Sequence, residues 1–165
     1  MRARVIAAAI GLLALSACGQ PASEDAPATT GQASVVLTYD LAAFVANGAA
    51  SVQASPNGAQ ITTDPRPGAF SAILDLGEAA KGEGLMLRVR AQVERGGFNV
   101  HSFHRDFGPQ DQDHAQFIAA GEVTNVDLPV DRVGAPILII ANGSEEGASS
   151  GAVLSVELVR GAVSP

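Results

Sequence analysis

Residues 85–94 read LMLRVRAQVE, and their alternation decides the fold class. Leu85, Leu87, Val89, Ala91 and Val93 fall on one side of an extended chain. Met86, Arg88, Arg90, Gln92 and Glu94 fall on the other. Such a stretch suits an antiparallel strand with one face on a core and one toward solvent. Glu94-Arg95-Gly96-Gly97 supplies a turn, so 98–105 is expected to return as the second arm of a hairpin.

Working outward, 35–40, 51–55, 60–63, 69–76 and 124–130 are also expected to be strands. Pro56-Asn57-Gly58 marks a turn between the second and third of these. Residues 136–141 form a nearly continuous apolar run, the mark of a central strand covered on both faces. A polar loop follows over 142–151, and 152–160 closes the sheet. Residues 41–46 suit a brief turn of helix. Residues 114–120 stay open: His114, Phe117 and Ile118 fit one helical face, but the piece is too short to stand alone as a helix. Short β-branched runs between Gly, Asn, Pro and Asp clusters predict an all-β domain, an antiparallel β-sandwich of jelly-roll-like topology.

The first residues carry a different message. Arg2 and Arg4 form a basic head, 5–15 an apolar run, and Leu15-Ser16-Ala17-Cys18 closes the segment. The run is too short for a bilayer-spanning helix, which needs about 20 residues, and its layout is that of an export signal. The closing tetrapeptide resembles the lipobox of bacterial lipoproteins. That resemblance implies cleavage before Cys18, diacylglycerol on its sulfur and a third chain on the freed amine. With Gly19 after the cysteine, it implies an outer-membrane address, without choosing a leaflet. Residues 1–17 are then a signal peptide, 18–33 a lipid-anchored flexible tether rich in Pro, Ala, Ser, Thr and Gly, and 34–165 the folded domain.

Loss of Arg2 and Arg4 leaves 8 basic against 17 acidic residues, a net charge of −9. That balance argues against nucleic acid as a partner. Cys18 is the only cysteine, so no disulfide staples the domain.

The stretch 84–160 resembles β-sandwich accessory domains of bacterial polysaccharide pathways and is similar to galactose-binding or carbohydrate-module jelly rolls. The resemblance is carried by Leu87-Arg88-Val89-Arg90 with Val93 and Gly96 or Gly97, and by Phe98-Asn99-Val100 with Arg105-Asp106. Val126-Asp127-Leu128-Pro129-Val130, Ile139-Ile140-Ala141-Asn142-Gly143 and 153–159 complete it. It implies a sandwich fold and a sugar-binding or accessory role. The chain departs from such modules in having no Trp and a single tyrosine, Tyr39; a stacking ring would have to come from Phe103 or Phe107.

Several stretches invite a chemical reading. Arg88, Arg90 and Gln92 share one sheet face. In the expected hairpin, His101 and Arg105, or His104 from the opposite set, would lie beside them. Guanidinium, amide and imidazole together suit an acidic polysaccharide or lipid headgroup, although solvated arginines paired with acids are the plainer reading. His101 and His104, three apart on a strand, point to opposite faces, which argues against a shared metal. Asp106, Asp111 and Asp113 offer oxygen ligands for calcium but lack the familiar loop spacing. Gly147-Ala148-Ser149-Ser150-Gly151 matches a hydrolase nucleophile elbow in letters, yet it lies between two strands rather than before a helix. Asn142-Gly143-Ser144 reads as a strand-ending turn.

No cofactor motif is present. The expected protein is a non-catalytic binding or accessory module for envelope polysaccharide, held to the membrane through lipid on Cys18. The alternatives are a structural or assembly lipoprotein that docks an envelope protein partner and, more weakly, a hydrolase.

Overall fold

The computed structural model describes residues 33–104, 114–130 and 135–161. They form two antiparallel sheets packed face to face. The first sheet holds β1 (Ser34–Thr38), β3 (Ser51–Ser55), β4 (Gly58–Thr62), β6 (Leu85–Arg95), β9 (Thr124–Pro129) and β11 (Ser150–Arg160). Its order is β3-β4-β11-β6-β9, with β1 pairing the far end of β11. The second sheet holds β2 (Val45–Ala46), β5 (Phe70–Asp75), β7 (Gly97–His104), β8 (His114–Ala119) and β10 (Pro136–Asn142). Its order is β2-β5-β10-β7-β8. The expected antiparallel β-sandwich is therefore what the chain forms. Among the described residues no helix is long and apolar enough to cross a membrane.

The alternation of β6 does what its chemistry requires. Leu85, Leu87, Val89, Ala91 and Val93 are buried. They meet Leu74, Phe98, Val100, Ile118, Leu138 and Ile140 from the second sheet in one core. Each fully buried Leu, Val or Phe contributes about 1.5–3 kcal/mol, so this layer dominates the cohesion of a domain with no disulfide. Every residue of β10 is buried. Leu138 and Ile140 enter the main core, while Ile137 and Ile139 lie on the outer face under Phe70, Ile73 and Phe103. A continuous apolar run in a central strand is explained by these two covers.

Two expectations change. β6 and β7 do not form a hairpin: β6 pairs with β11 and β9, and β7 with β10 and β8. The turn at Gly96 carries the chain from one sheet to the other, so the apolar faces of the two strands oppose each other across the core. An arch of this kind and a hairpin show the same period-two alternation. The open stretch 114–120 becomes the edge strand β8, with Ile118 inward and Phe117 outward. Pairing along β7 from Gly97 to Ser102 supplies backbone partners that a free segment of this length lacks. Of residues 41–46, Leu41–Ala43 is a short 3₁₀ turn capped by Asp40, and Val45–Ala46 is β2.

Candidate functional site

The second sheet presents an outer face with little charge and several rings. On β7, Phe98 and Val100 point into the core, so Asn99, His101 and Phe103 point outward. Register then places Phe117 (β8), Asn99 (β7), Ala141 (β10) and Phe70 (β5) in one row across four strands. Neighbouring strands lie about 4.8 Å apart, so the two phenylalanine Cα atoms stand about 14 Å apart. Between them the floor is the half-buried Asn99 and the small, buried Ala141. Phe70 reaches this face because a register shift between Ile140 and Ala141 turns Ser71 inward. Its hydroxyl there donates to the Ala69 carbonyl and accepts from Asp64 N. The Phe70 ring meets His101 edge-on at 5.7 Å and Phe103 at 5.7 Å, and His101 stacks on Phe103 at 5.4 Å.

Phe117 is held differently. Its side chain is 57% exposed although it sits within a sheet. One edge of the ring lies against the backbones of Gly97 and Gly143: a Cβ on Gly143 would stand 2.7 Å from Phe117 Cε2, and one on Gly97 would collide with the same ring. Gly143 N donates to Gly97 O at 2.9 Å, which joins the two halves of this seat. A ring covering glycine backbone while exposing its remaining surface is a fixed apolar platform.

The end of the row meets a built loop. Asp64 is buried, and its Oδ1 accepts from Arg66 N at 3.0 Å and Arg66 Nε at 2.9 Å. Its Oδ2 accepts from Arg66 Nη2 at 2.8 Å and Ala49 N at 3.1 Å. Hydrogen bonds from the Arg66 side chain, and then from the Arg66 and Ala49 backbone, hold the Asp64 carboxyl well below the usual carboxylate range. Asn47, Arg66, Pro67, Gly68, Ala69 and Phe70 line an open pocket of about 420 Å³ beside it.

A depressed folded pKa contributes stability that is present above the unfolded value, about 3.9, and is lost as pH falls from there toward the folded value. The wild-type urea midpoint should therefore fall on acidification below about pH 4. Asp64→Asn lacks this contribution, so it should be less stable than wild type at pH 7 and the gap between the two proteins should close as the pH falls. A gap that stays constant down to pH 2 would refute this role for Asp64.

The sequence-predicted residues do not form one patch. Arg88, Arg90 and Gln92 alternate with the core residues of β6 and face outward from the first sheet. His101 faces outward from the second, on the opposite side of the sandwich, because the turn at Gly96 crosses between sheets. Arg88 is engaged side-on by Asp127, Nε to Oδ1 and Nη2 to Oδ2 both at 2.8 Å, and this hydrogen bonding raises its pKa. Arg90 is flanked in register by Asn125 and Ser155, and Gln92 by Ala152.

The His104 side chain, Arg105, Asp106, Phe107, Asp111 and Asp113 lie outside the described residues, as do Cys18, the signal segment 1–17 and the tether up to residue 32. Among the described residues no group of three or more His, Cys, Asp or Glu side chains is placed to hold a metal ion. Phe103 is 9% exposed and so offers little open ring. Ser149 of the elbow-like pentapeptide is buried in the loop before β11. It donates to Asn142 Oδ1 at 2.7 Å and accepts from Gly97 N at 2.9 Å, so its proton is committed to an amide rather than a base. Sequence reasoning reaches Phe117 only as part of an amphipathic segment, not as a site residue, and does not reach Arg66. The readable signals were a phenylalanine in an amphipathic edge segment and an Asp-Pro-Arg-Pro-Gly loop.

Solved structures with a similar fold include carbohydrate-binding modules. The CBM22-1 xylan-binding domain of Xyn10C from Paenibacillus barcinonensis matches at a TM-score of 0.52 and 13% identity, over 78% of this chain and 97% of that one. CBM29_1, a family 29 module from Piromyces equi, matches at 0.50 and 14% identity, over 78% and 91%. The CBM22-1–GH10 modules of Xyn10B from Clostridium thermocellum, complexed with xylohexaose, match at 0.53 and 12% identity, over 78% of this chain and 29% of that one. At these identities the likeness is one of fold. No protein-family model matches the chain, and no curated protein does.

Proposed function

We propose that this domain is a non-catalytic module that binds envelope polysaccharide across the outer face of its second sheet, and that lipid on Cys18 holds it to the outer membrane. The observation that carries the reading is Phe117, an exposed ring fixed on the Gly97 and Gly143 backbones at one end of a cross-strand row. The C–H face of a pyranose packs against such a ring, and Asn99 supplies hydrogen-bonding groups for hydroxyls beside it. A rigid ring already in place loses little entropy on binding. His101, retained from the sequence reading, borders the same row; Arg88, Arg90 and Gln92 do not.

The test uses the producing cell. The wild-type protein should partition with the outer membrane and a Cys18→Ser form should not. That soluble form should bind the cell's extracted envelope polysaccharide saturably, and adding Phe117→Ala should weaken binding about tenfold or more, with the fold intact. Undiminished binding by the Phe117→Ala protein moves the site elsewhere. No polysaccharide binding at all shifts the weight to an assembly role. For that role the surface at hand is β1, an exposed edge strand carrying Val35, Val36 and Leu37.

A further inference from the structure

We propose that the glycan bound on this face carries carboxylate groups and that Arg66 selects for them. The inference rests on the reading of the second sheet's outer face as the binding face, and deepens it from polysaccharide to acidic polysaccharide.

Arg66 is a solvent-exposed cation whose orientation is fixed along one edge. Asp64 takes the side-on edge of its guanidinium, Nε and Nη2, at 2.9 and 2.8 Å. The end-on edge, formed by Nη1 and the remaining Nη2 hydrogen, donates to no group among the described residues, on a side chain that is 76% exposed. Behind it the carboxylate is immobilised: Asp64 N donates to Ser71 Oγ at 3.0 Å, and Ala49 N donates to Asp64 Oδ2 at 3.1 Å. Gly48 leaves room for that carboxylate, since a Cβ there would stand 2.8 Å from Asp64 Oδ2. The plane of the guanidinium is thus set by buried atoms before any ligand arrives, which removes much of the entropy cost of using an arginine.

Its position ties it to the ring platform. Arg66 and Phe70 line the same open pocket, and the Arg66 carbonyl accepts from Asn142 Nδ2 at 3.3 Å. The next residue along from Asn142 is Gly143, part of the Phe117 seat. A chain lying from Phe117 toward Phe70 therefore ends beside the open guanidinium edge. Two parallel N–H groups match the two oxygens of a planar carboxylate. Among the described residues that line the pocket, Arg66 is the one that carries a charge, so it suits a singly charged group. The net charge, −7 for the full chain and −9 without Arg2 and Arg4, repels a densely anionic polymer. The fitting ligand is a glycan with sparse uronic acids or similar carboxylated sugars.

The experiment compares the extracted envelope polysaccharide with the same preparation after chemical reduction of its carboxyl groups to alcohols. Wild-type protein should bind the native preparation about tenfold more tightly than the reduced one. Arg66→Gln should bring that ratio close to one, and its remaining affinity for the reduced preparation reports that the face is still folded. Arg66→Lys keeps the charge beside Asp64 but loses the two-pronged edge, so it should recover only part of the ratio; it carries the comparison if Arg66→Gln does not fold. Equal binding of both preparations by the wild type, or a full ratio in both variants, overturns the role of Arg66 and leaves the polysaccharide reading standing. Failure of the wild type to bind either preparation overturns both.

Discussion

Replacing Asn142 by alanine is expected to destabilise the domain by about 4 kcal/mol, a large share of the 5–15 kcal/mol that holds a domain together. Asn142 is fully buried where the segments 63–69, 97–98 and 142–149 meet. Its Nδ2 donates to the carbonyls of Gly147 at 2.9 Å and of Arg66 and Ser144 at 3.3 Å. Its Oδ1 accepts from Ser149 Oγ at 2.7 Å and Ser144 N at 3.1 Å. The amide can sit only one way round, because three of its partners are carbonyl oxygens and can only accept. Ser149 extends the network, since its N donates to Thr63 Oγ1 at 2.8 Å and its Oγ accepts from Gly97 N at 2.9 Å. Truncation leaves several of these groups buried without partners, each costing about 1–3 kcal/mol, and the losses do not add fully. Asn142→Asp keeps the shape and turns a negative oxygen toward carbonyls, so it should cost at least as much. Urea unfolding of both variants measures this. A loss under about 1 kcal/mol in the alanine variant would show that water replaces the network, and the account above would fail.

The same residue shows why the fold was easier to read than its site. Alternation in 85–94, the apolar run in 136–141 and the Pro56-Asn57-Gly58 turn are local patterns, and each appears in the structure close to where the sequence places it. Period two also holds along β7, where Asn99, His101 and Phe103 share a side opposite Phe98 and Val100. What it cannot encode is which sheet a strand joins. Leu87 and Phe98 need apolar neighbours, and neighbours beside them in one sheet or across a core satisfy that need equally. Hence the arginines of β6 and the histidine of β7, adjacent in a hairpin, stand on opposite outer faces of the sandwich.

The ring platform was hidden for a related reason. Phe117 is held in place because Gly97 and Gly143, both remote in sequence, pack under it. Asn142-Gly143 looks like any strand-ending turn until the partner ring is known. Arg66 is concealed in the same way, since its fixed direction comes from Asp64, and Asp64 is fixed in turn by Ala49 and Ser71 from two other segments. Arg88 and Arg90, by contrast, advertise themselves through spacing. Arg88 is paired side-on by Asp127 just as Arg66 is by Asp64, but its side chain is 33% exposed against 76% for Arg66, and it lies on the other sheet.

Gly96→Ala is the second change expected to be severe, at about 3 kcal/mol, and it tests the arch on which this separation of faces depends. Gly96 has φ of +75°, where a Cβ costs about 1–2 kcal/mol. In addition, a Cβ there would collide with Ser149 Oγ and stand 3.1 Å from the Cβ atoms of Ser144 and Ser149. Overpacking of that kind costs about 1–3 kcal/mol. Gly84 separates the two contributions, because it has φ of +65° with nothing within 4 Å of an added Cβ; Gly84→Ala should lose only the backbone part. In a hairpin the two substitutions would cost the same, since a turn pointing into solvent has nothing to strike. In the arch, the turn at Gly96 docks on the Ser149 loop, and Gly97 beside it forms half of the Phe117 seat. Gly96→Ala should therefore weaken polysaccharide binding even where enough protein stays folded to measure it, whereas Gly84→Ala should not. Equal unfolding losses at the two glycines would remove the docked arch, and with it the explanation for why the ring is held where it is.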